Sequence, residues 1–510
     1  MRILFAALHN GYYRNIEPVV DALAARGHQV YLGAERSDSA LGGQVIVDRL
    51  AAAHANVSFG PVPWREQKTR FLAAKVRLTL DYLRYLEPEY AETPALRRRA
   101  STRTASGFVW LSEHGAFGSV TSRRLLVRAL HAIDRAMPPS PDIERFLDEQ
   151  SPDLVIITPL VGLVPSSQLD LLRSARARRI PTAVCVWSWD HLSSKAIIRD
   201  VPDRLFVWND VQRREAMEMH HVPADRITIT GAQCFDRWFN RQPSRSRADF
   251  TRRVGLPDDR PYLLWVCSAL FPESPPEAAF VVQWASRVRA SSDPRVRDAA
   301  ILVRPHPSRR PEWDSVDWRR IPNVALWGDN PIDEEARSDY YDSLHYSAAV
   351  VGLNTSAFIE AGIVGRPVMT ILPDEFHASQ EGTLHFHYLI DGGLLTTARS
   401  LDEHVQQLSV MMAGPPDTLL TREREFVHAF VRPCGLDVPA TSVMVDAVET
   451  LARLAPDQAL EHRGAIGVFG LTALRALERI PLGRRLLLNE REVEAKQRRA
   501  DTEGREVSWL

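Results

Sequence analysis

Apolar runs of strand length alternate with segments of helical periodicity along most of this chain. The first unit contains "RILFAAL", the loop "HNGYYRN", the helical segment "IEPVVDALAARGH" and the strand "QVYLGA". Gly27 closes the helical segment, as glycine commonly does just after a helix. A strand that returns through a helix pairs in parallel with its neighbour. The sequence therefore predicts parallel α/β sheets.

Two series of such units follow one another, separated by the polar stretch 241–260. The second series restarts with "PYLLWVCSAL" and continues through "AAILVRPHP", "NVALWG", "SAAVVGL" and "PVMTIL". A chain of 510 residues exceeds what one hydrophobic core usually supports. We therefore predict two Rossmann-like domains facing each other across a cleft, over 1–240 and 241–455. C-terminal helices over 456–510 complete the predicted α/β fold.

Charge is unevenly distributed along the chain. The net charge is -1, which gives no reason to expect a nucleic-acid partner. Residues 65–135, however, hold 14 Lys and Arg against 7 Asp and Glu. This basic insert is either a solvated helical face or a contact with an anionic membrane surface or lipid-phosphate acceptor. The sequence does not decide between these two interpretations.

The cellular setting is predicted from what the sequence lacks. Its N-terminal apolar run is too short for a signal peptide, and no window approaches the length of a membrane span. Four cysteines lie far apart, and Cys185 and Cys267 fall within apolar runs, which is typical of buried free thiols in a reducing compartment. We expect a cytoplasmic protein that is peripheral to the membrane at most.

The stretch "GLNTSAFIEAGIVGRPVMTIL" carries polar side chains at a strand-to-helix corner. Asn354, Thr355 and Ser356 follow a predicted strand, and Thr355 or Ser356 is the expected N-cap of the next helix. The free N–H groups of that helix and the hydroxyls suit a phosphate. Glu360 lies one residue too far from Ser356 for a capping box, so we predict that it binds a ribose or sugar. The alternative is an ordinary capped helix with a solvated glutamate.

"ILVRPHP" ends a second strand of the same domain with an arginine, and a histidine between two prolines follows it. Arg304 and His306 are two residues apart, so an extended backbone points them to the same side. A fixed guanidinium beside an imidazole suits a phosphate. The alternative is a turn with a surface histidine.

Three further groups follow predicted strands of the second domain. Ser268 would allow a ligand to approach closely. Gln380 and Glu381 belong to the polar stretch "FHASQEGTLHFHYL", for which we predict contacts with sugar hydroxyls or phosphate, with a surface loop as the alternative. The histidines of this stretch lack metal-site spacing and have no cysteine nearby, so we expect no metal. These histidines are His377, His385 and His387.

The first domain contributes two candidate catalytic side chains. His9 follows the first strand, in a loop without a dinucleotide-binding glycine pattern. Asp190 lies in "WSWDHLSSK", where tryptophans beside polar groups suit a carbohydrate. Either side chain could deprotonate an acceptor hydroxyl. Both could equally be plain loop residues.

Together, "NTSAFIEAGIVGRPVMTI" and "RPHP" resemble the motifs of GT-B glycosyltransferases, in particular bacterial capsule, lipopolysaccharide and CDP-glycerol-type polymer transferases. The resemblance covers about residues 185–395. It implies that His306, Thr355 and Ser356 contact the phosphate of a nucleotide-sugar donor and that Glu360 holds the ribose or the sugar. It also implies a surface-glycan or lipid-linked acceptor and no cofactor beyond the donor substrate.

Two other functions fit the same architecture. A nucleotide-sugar 2-epimerase would act on the donor without an acceptor, and a non-catalytic protein would bind the nucleotide sugar without turnover. The basic insert favours a transferase. The donor base, the sugar and the stereochemistry of transfer stay open.

Overall fold

A computed structural model describes residues 1–36, 42–114, 117–160, 163–314, 316–318, 321–454 and 464–503, with side chains to 499. Parts of the predicted tail, 455–463 and 504–510, lie outside the described residues. The described chain forms two parallel sheets with helices on both faces, as the alternation of apolar and helical segments predicts.

The first sheet has seven strands in the order β3-β2-β1-β4-β5-β6-β7. They are β1 Arg2–His9, β2 Gln29–Arg36, β3 Val57–Pro61, β4 Leu154–Thr158, β5 Thr182–Cys185, β6 Arg204–Val207 and β7 Ile227–Ile229. All neighbours pair in parallel, for example Leu4 with Tyr31 and with Val155. The order reverses between β1 and β4, and ligands of open α/β sheets bind outside the carboxyl ends of the strands at such a point.

The second sheet has six strands in the order β10-β9-β8-β11-β12-β13. They are β8 Tyr262–Val266, β9 Ala300–Arg304, β10 Val324–Leu326, β11 Ala349–Gly352, β12 Val368–Ile371 and β13 Thr396–Ala398. These strands are again parallel, and the order reverses between β8 and β11. The central strands β8, β9, β11 and β12 are completely buried, because helices cover both faces.

Helices connect the strands and complete the two domains. They are α1 Glu17–Ala25, α2 Gly43–Ala53, α3 Gln67–Arg84, α4 Pro94–Ser101, α5 Ser106–His114, α6 Val120–Arg135, α7 Pro141–Gln150, α8 Gln168–Ala177, α9 His191–Ser194, α10 Asp210–His220, α11 Asp236–Phe239, α12 Arg247–Arg253, α13 Glu277–Arg289, α14 Pro294–Arg297, α15 Glu334–His345, α16 Ala357–Val364, α17 Leu384–Asp391, α18 Leu401–Ala413, α19 Asp417–Phe430, α20 Ala440–Leu451, α21 Ala465–Glu478, α22 Pro481–Leu487 and α23 Glu490–Glu503. Gly27 follows α1 with a positive φ of 81°, which confirms the predicted helix end. No helix in the described part of the chain is long and apolar enough to span a membrane.

The chain returns to the first domain before it ends. Helix α20 packs on α1, and its Met444 and Val448 lie in the same core as Phe5 of β1. This return begins before residue 455, where the sequence placed the end of the second domain. The tail helix α21 then packs along α6 of the basic insert, and α22 contacts α5. The insert and the tail, which the sequence could not place, form one helical layer.

Several cations of the basic insert are buried within the first domain. Arg77 is 6% exposed and donates to Asp134 at 2.8 Å and to Asp170 at 2.7 and 2.8 Å. Arg65 also pairs with Asp170, at 3.1 Å. Buried charges are retained in proteins when they are paired and hydrogen-bonded. Part of the positive charge in the insert therefore belongs to an internal ion network and is neither solvated nor available to an anionic surface.

Candidate functional site

The carboxyl ends of the two sheets face each other across a cleft that the domains close by direct contacts. Arg14, in the 3-10 helix Asn10–Asn15, donates to Asn330 Oδ1 of the second domain at 3.3 Å. On the other side, the rings of Trp189 and His385 meet edge to face with centroids 4.7 Å apart. The strand ends singled out by the sequence therefore border one interdomain space.

The loop between β11 and α16 is held from beneath by buried side chains. Asn354 donates its backbone N–H to Ser268 Oγ at 3.0 Å, and its side chain donates to the carbonyl of Ser379. Gln380 is 1% exposed and donates to the carbonyls of Leu353 and Ile371 at 3.0 and 2.8 Å. Ser268 is itself completely buried. Ser268 and Gln380, predicted as donor contacts, thus position the loop and do not line the cleft.

Glu277 fixes Ser268 in turn, a role that no pattern in the sequence indicates. Its carboxylate accepts the Ser268 N–H at 2.8 Å and the Trp265 Nε1–H at 3.0 Å. Burial raises its pKa to about 8, although the two hydrogen bonds act in the opposite direction. This support depends on a pairing between the end of β8 and the start of α13, which residue spacing alone does not disclose.

The start of α16 differs in detail from the predicted cap. Ser356 occupies the N-cap position, but its side chain makes no capping hydrogen bond and is exposed. Thr355 Oγ1 accepts the Ala357 N–H at 3.3 Å. Because the Ser356 hydroxyl is not used by the helix, it is available to a ligand at the helix N-terminus.

Arg304 is buried at the carboxyl end of β9 without a counter-ion. It is 6% exposed, its Nη2 donates to the carbonyl of Asp329 at 3.3 Å, and its guanidinium lies 5.0 Å from the ring centroid of Tyr340. Its Nη1 is buried without a hydrogen-bond partner. Burial lowers the pKa of this arginine. Within the described residues no carboxylate forms an ion pair with it, so an anionic ligand would supply the missing charge.

His306 presents a hydrogen-bond donor beside Arg304. Its Nδ1 accepts the backbone N–H of Ser308 at 3.3 Å, so a neutral ring carries its proton on Nε2. Burial, followed by the charges of Arg14 and Arg309, lowers its pKa. His306 therefore stays neutral near pH 7 and can donate from Nε2.

Glu360 lies at the domain interface and is not a solvated helix residue. Tyr340 donates its hydroxyl to the Glu360 carboxylate. Burial raises the pKa of Glu360, while Arg14 and Arg237 of the first domain oppose that shift. Tyr340, which the sequence did not single out, thus contacts both residues: its hydroxyl binds Glu360, and its ring lies beside the Arg304 guanidinium.

A cavity of about 360 Å³ lies between the domains and brings together parts of the chain that are distant in sequence. Asn354 and His385 line it from the second domain, and Asp190 and Lys195 from the first. The insert and the tail reach it through three arginines. These are Arg99, Arg103 and Arg491.

The three arginines form a positive cluster, and with Lys195 they outnumber the two acids that line the cavity, Asp190 and Glu273. None of the three arginines forms an ion pair within the part of the chain that the structure describes. Burial lowers the pKa of Arg103, and the charges of Arg99 and Arg491 lower it further. Asp190, the acid on the first-domain wall, is already paired with Lys195 at 2.9 Å. The cavity is therefore suited to a substrate that carries negative charge.

Asp190 is held too firmly to be an effective base. Burial alone would raise its pKa, but Lys195, His385 and the hydroxyls of Ser188 and Ser194 outweigh burial and hold the pKa well below its usual range. A general base works best with a pKa near the operating pH. The structure places Asp190 in the cleft as predicted, yet its environment favours a binding role.

The remaining predicted residues occupy separate positions. His9 ends β1, and its ring lies 4.3 Å from that of Tyr12, which is 4.7 Å from the ring of Trp187. Glu381 is engaged by both terminal nitrogens of Arg399, at 2.6 and 2.7 Å, and does not line the cavity. Among the described residues, no group of three metal-ligating side chains has the geometry to hold a metal ion.

Comparison with known proteins identifies the fold. No family model matches the chain, and no curated protein matches its sequence. A putative UDP-N-acetylglucosamine 2-epimerase from Listeria monocytogenes superposes with a TM-score of 0.50 at 11% identity, over 90% of this chain and 99% of that one. A glycosyltransferase from Rickettsia africae matches with a TM-score of 0.49 at 9% identity, over 89% and 99% of the chains. The likeness to the Listeria protein confirms the predicted GT-B fold, and at this identity it shows the fold alone.

Proposed function

We propose that this protein is a glycosyltransferase that moves a sugar from a nucleotide-activated donor to an acceptor bearing a negatively charged group. Such an acceptor is a surface-glycan precursor or a lipid-linked glycan with a phosphate. The observation that carries the proposal is the interdomain cavity, where Asn354 of the donor loop faces the arginine cluster of the insert and the tail.

The donor would bind to the second domain. Arg304 and the Nε2–H of His306 would contact the leaving phosphate, together with the free amides and the Ser356 hydroxyl at the start of α16. Such groups stabilise the charge that develops on a leaving phosphate without a metal ion. Glu360, fixed by Tyr340, would accept hydrogen bonds from ribose hydroxyls.

The acceptor would enter from the first domain and the insert. Arg99, Arg103 and Arg491 would hold its anionic group, because arginine binds phosphate and carboxylate through its planar fork. The pKa of Asp190 is held too low for efficient proton transfer, which leaves His9, at the end of β1 and outside the lining of this cavity, as the other predicted base. We propose that Asp190 and Lys195 orient hydroxyl groups instead.

A thermal-shift panel of UDP-, GDP-, CDP-, CMP- and dTDP-sugars tests the donor site. A ligand that binds only the folded state raises its stability, by about 2.7 kcal/mol at a concentration of one hundred Kd. We expect one nucleotide class to raise Tm and that response to be lost in His306→Ala. The absence of any shift across the panel would refute the proposal.

Turnover separates the transferase from its alternative, the nucleotide-sugar 2-epimerase. The donor that binds is incubated alone and with phosphorylated acceptors, and the products are followed by NMR. Transfer that requires an acceptor supports the proposal. Isomerisation of the donor alone would identify an epimerase, for which the arginine cluster on the acceptor side has no evident role. Binding without any turnover would indicate a non-catalytic protein.

A further inference from the structure

The first turns of helix α21 in the tail bury a glycine and expose large apolar side chains, whereas Leu471, Leu474 and Leu477 further along pack against the core. A Cβ at Gly467 would lie 2.1 Å from the carbonyl oxygen of Ala132, so α21 and α6 approach as closely as only glycine allows. On the opposite face, Ile466 and Phe469 are 75% and 78% exposed. An amphipathic helix normally turns its large apolar side chains towards the core. In the first turns of α21, Ile466 and Phe469 depart from this arrangement.

Further exposed large apolar side chains lie on the helices that pack with α21, directly or through α22. Nine of the sixteen large apolar side chains that are exposed in the described part of the chain lie on or next to α5, α6, α21 and α22. We call this layer the insert–tail surface, and its nine members are Trp110, Val120, Leu125, Ile466, Val468, Phe469, Ile480, Leu482 and Leu486. Such a concentration on one layer marks an interaction site, whereas single exposed apolar residues need no explanation.

The same layer is strongly basic. Residues 106–114, 120–135 and 465–487, which cover the four helices of this layer, contain eight arginines and three acids, in a chain with a net charge of -1. All three acids are already engaged: Glu113 by Arg97, Asp134 by Arg77 and Arg173, and Glu478 by Arg484. Arg124 and Arg128 beside Leu125 form no ion pair with any described residue. The uncompensated charge of this surface is therefore positive.

We propose that the insert–tail surface docks on a membrane with anionic lipid headgroups. Exposed apolar side chains combined with arginines are suited to the boundary between headgroups and acyl chains. A second copy of the chain fits less well, because a symmetric contact would bring like-charged arginines together. Docking itself does not depend on the proposed transfer reaction.

The position of this surface connects it to the cleft. Arg99 on α4 and Arg491 on α23 line the interdomain cavity, and their helices adjoin α5 and α22 of the docking layer in the chain. A docked protein would hold the acceptor side of the cavity near the bilayer. This last step rests on the proposed function and adds that the acceptor is presented by a membrane.

Co-sedimentation of the full chain with vesicles tests the docking surface. Vesicles of phosphatidylcholine with about a third phosphatidylglycerol are compared with pure phosphatidylcholine at two salt concentrations. We expect binding to the anionic vesicles that weakens with salt. Arg124→Gln with Arg128→Gln should reduce binding by about fivefold for each arginine, since a basic residue near such a surface contributes on the order of 1 kcal/mol.

The apolar part is tested with Ile466→Ser combined with Phe469→Ser. Both side chains are mostly exposed, so this variant should keep the wild-type Tm and the nucleotide response while losing at least tenfold in vesicle binding. Val410→Ser is the matched control, because Val410 is 50% exposed on α18 outside the docking layer, and it should bind vesicles like wild type.

Three results would overturn the docking proposal. The folded wild type could fail to bind anionic vesicles, or the Ile466 and Phe469 variant could bind as well as wild type. Alternatively, sedimentation velocity could show a dimer that the same variant dissociates, which would assign the surface to a second copy. The nucleotide thermal shift is recorded for every variant, so a failure of docking is distinguishable from a failure of the donor site.

Discussion

Replacing Arg304 with methionine should stabilise the ligand-free protein and abolish nucleotide binding. The reason is that Arg304 is buried at the end of β9 with Nη1 unpartnered and no ion pair among the described residues. Methionine has a similar length and no charge to bury. A phosphate site requires such a side chain, which lowers the stability of the ligand-free protein and gains its partner when an anion binds.

The expected magnitude comes from opposing contributions. Leaving a buried donor unsatisfied costs about 1–3 kcal/mol, and replacing buried ionic groups with apolar ones of similar volume is neutral to stabilising by about 1–4 kcal/mol. The variant also loses the contact with Tyr340, worth about 2 kcal/mol when desolvated, and the hydrogen bond to Asp329. We expect a net gain of roughly 1–2 kcal/mol, which is a rise in Tm of about 2–8 °C for a domain of this size.

The assay is thermal unfolding with and without the donor nucleotide found in the panel. Arg77→Met is the matched control, because Arg77 is equally buried but paired with Asp134 and Asp170. Its removal takes one partner from each of two buried carboxylates, Asp134 keeping Arg173 and Asp170 keeping Arg65, and should destabilise the protein by up to about 3–5 kcal/mol. If Arg304→Met also lowers Tm, or if its nucleotide response matches wild type, Arg304 is a structural residue and the phosphate assignment is wrong.

Three other changes follow from the same geometry. His306→Ala should reduce transfer at least tenfold with Tm within a degree or two of wild type; near-normal turnover would contradict its contact with the phosphate. Gly328 has φ +120°, and a Cβ there would lie 2.4 Å from Arg304 Cζ. Gly328→Ala should therefore displace the guanidinium and weaken nucleotide binding measured by calorimetry. Unchanged affinity would show that the position of the guanidinium is unimportant. Burial raises the pKa of Glu423 to about 8, so its stabilising contribution is complete below pH 4 and is lost as pH rises to 8, by roughly 3–5 kcal/mol. In Glu423→Gln, Tm should therefore fall less between pH 5 and pH 8.5 than in wild type, and parallel pH profiles would refute this assignment.

The central strands could be predicted because burial on both faces leaves a continuous apolar run. Strands such as β8 and β9 are visible in the sequence for that reason. The edge strands β3 and β13 were not predicted. Their sequences, VSFGP and TTA, are short and hold at most two large apolar residues each, so neither produces an apolar run.

The candidate site divides along a similar line. Residues that follow a strand directly, such as Arg304 and Asn354, could be found because the carboxyl ends of parallel strands share one edge. Glu277 and Tyr340 could not, since each acts through a partner on another element. The roles of Ser268 and Gln380 depended on the direction of their side chains, which the sequence pattern does not fix.

The positive charge of residues 65–135 shows why a count of arginines does not identify a function. Arg65 and Arg77 form ion pairs with buried acids, and their pairs with Asp170 attach the insert to α8. Arg103 lies in the cavity, and Arg124 on the outer surface, without an ion pair within the described chain. An arginine that is paired with an acid inside the protein contributes to the stability of the fold. An arginine without an ion pair favours the binding of an anion from outside. On this reasoning, we propose that the cavity and the insert–tail surface are two anion sites built by the insert and the tail, one for the substrate and one for the membrane that presents it.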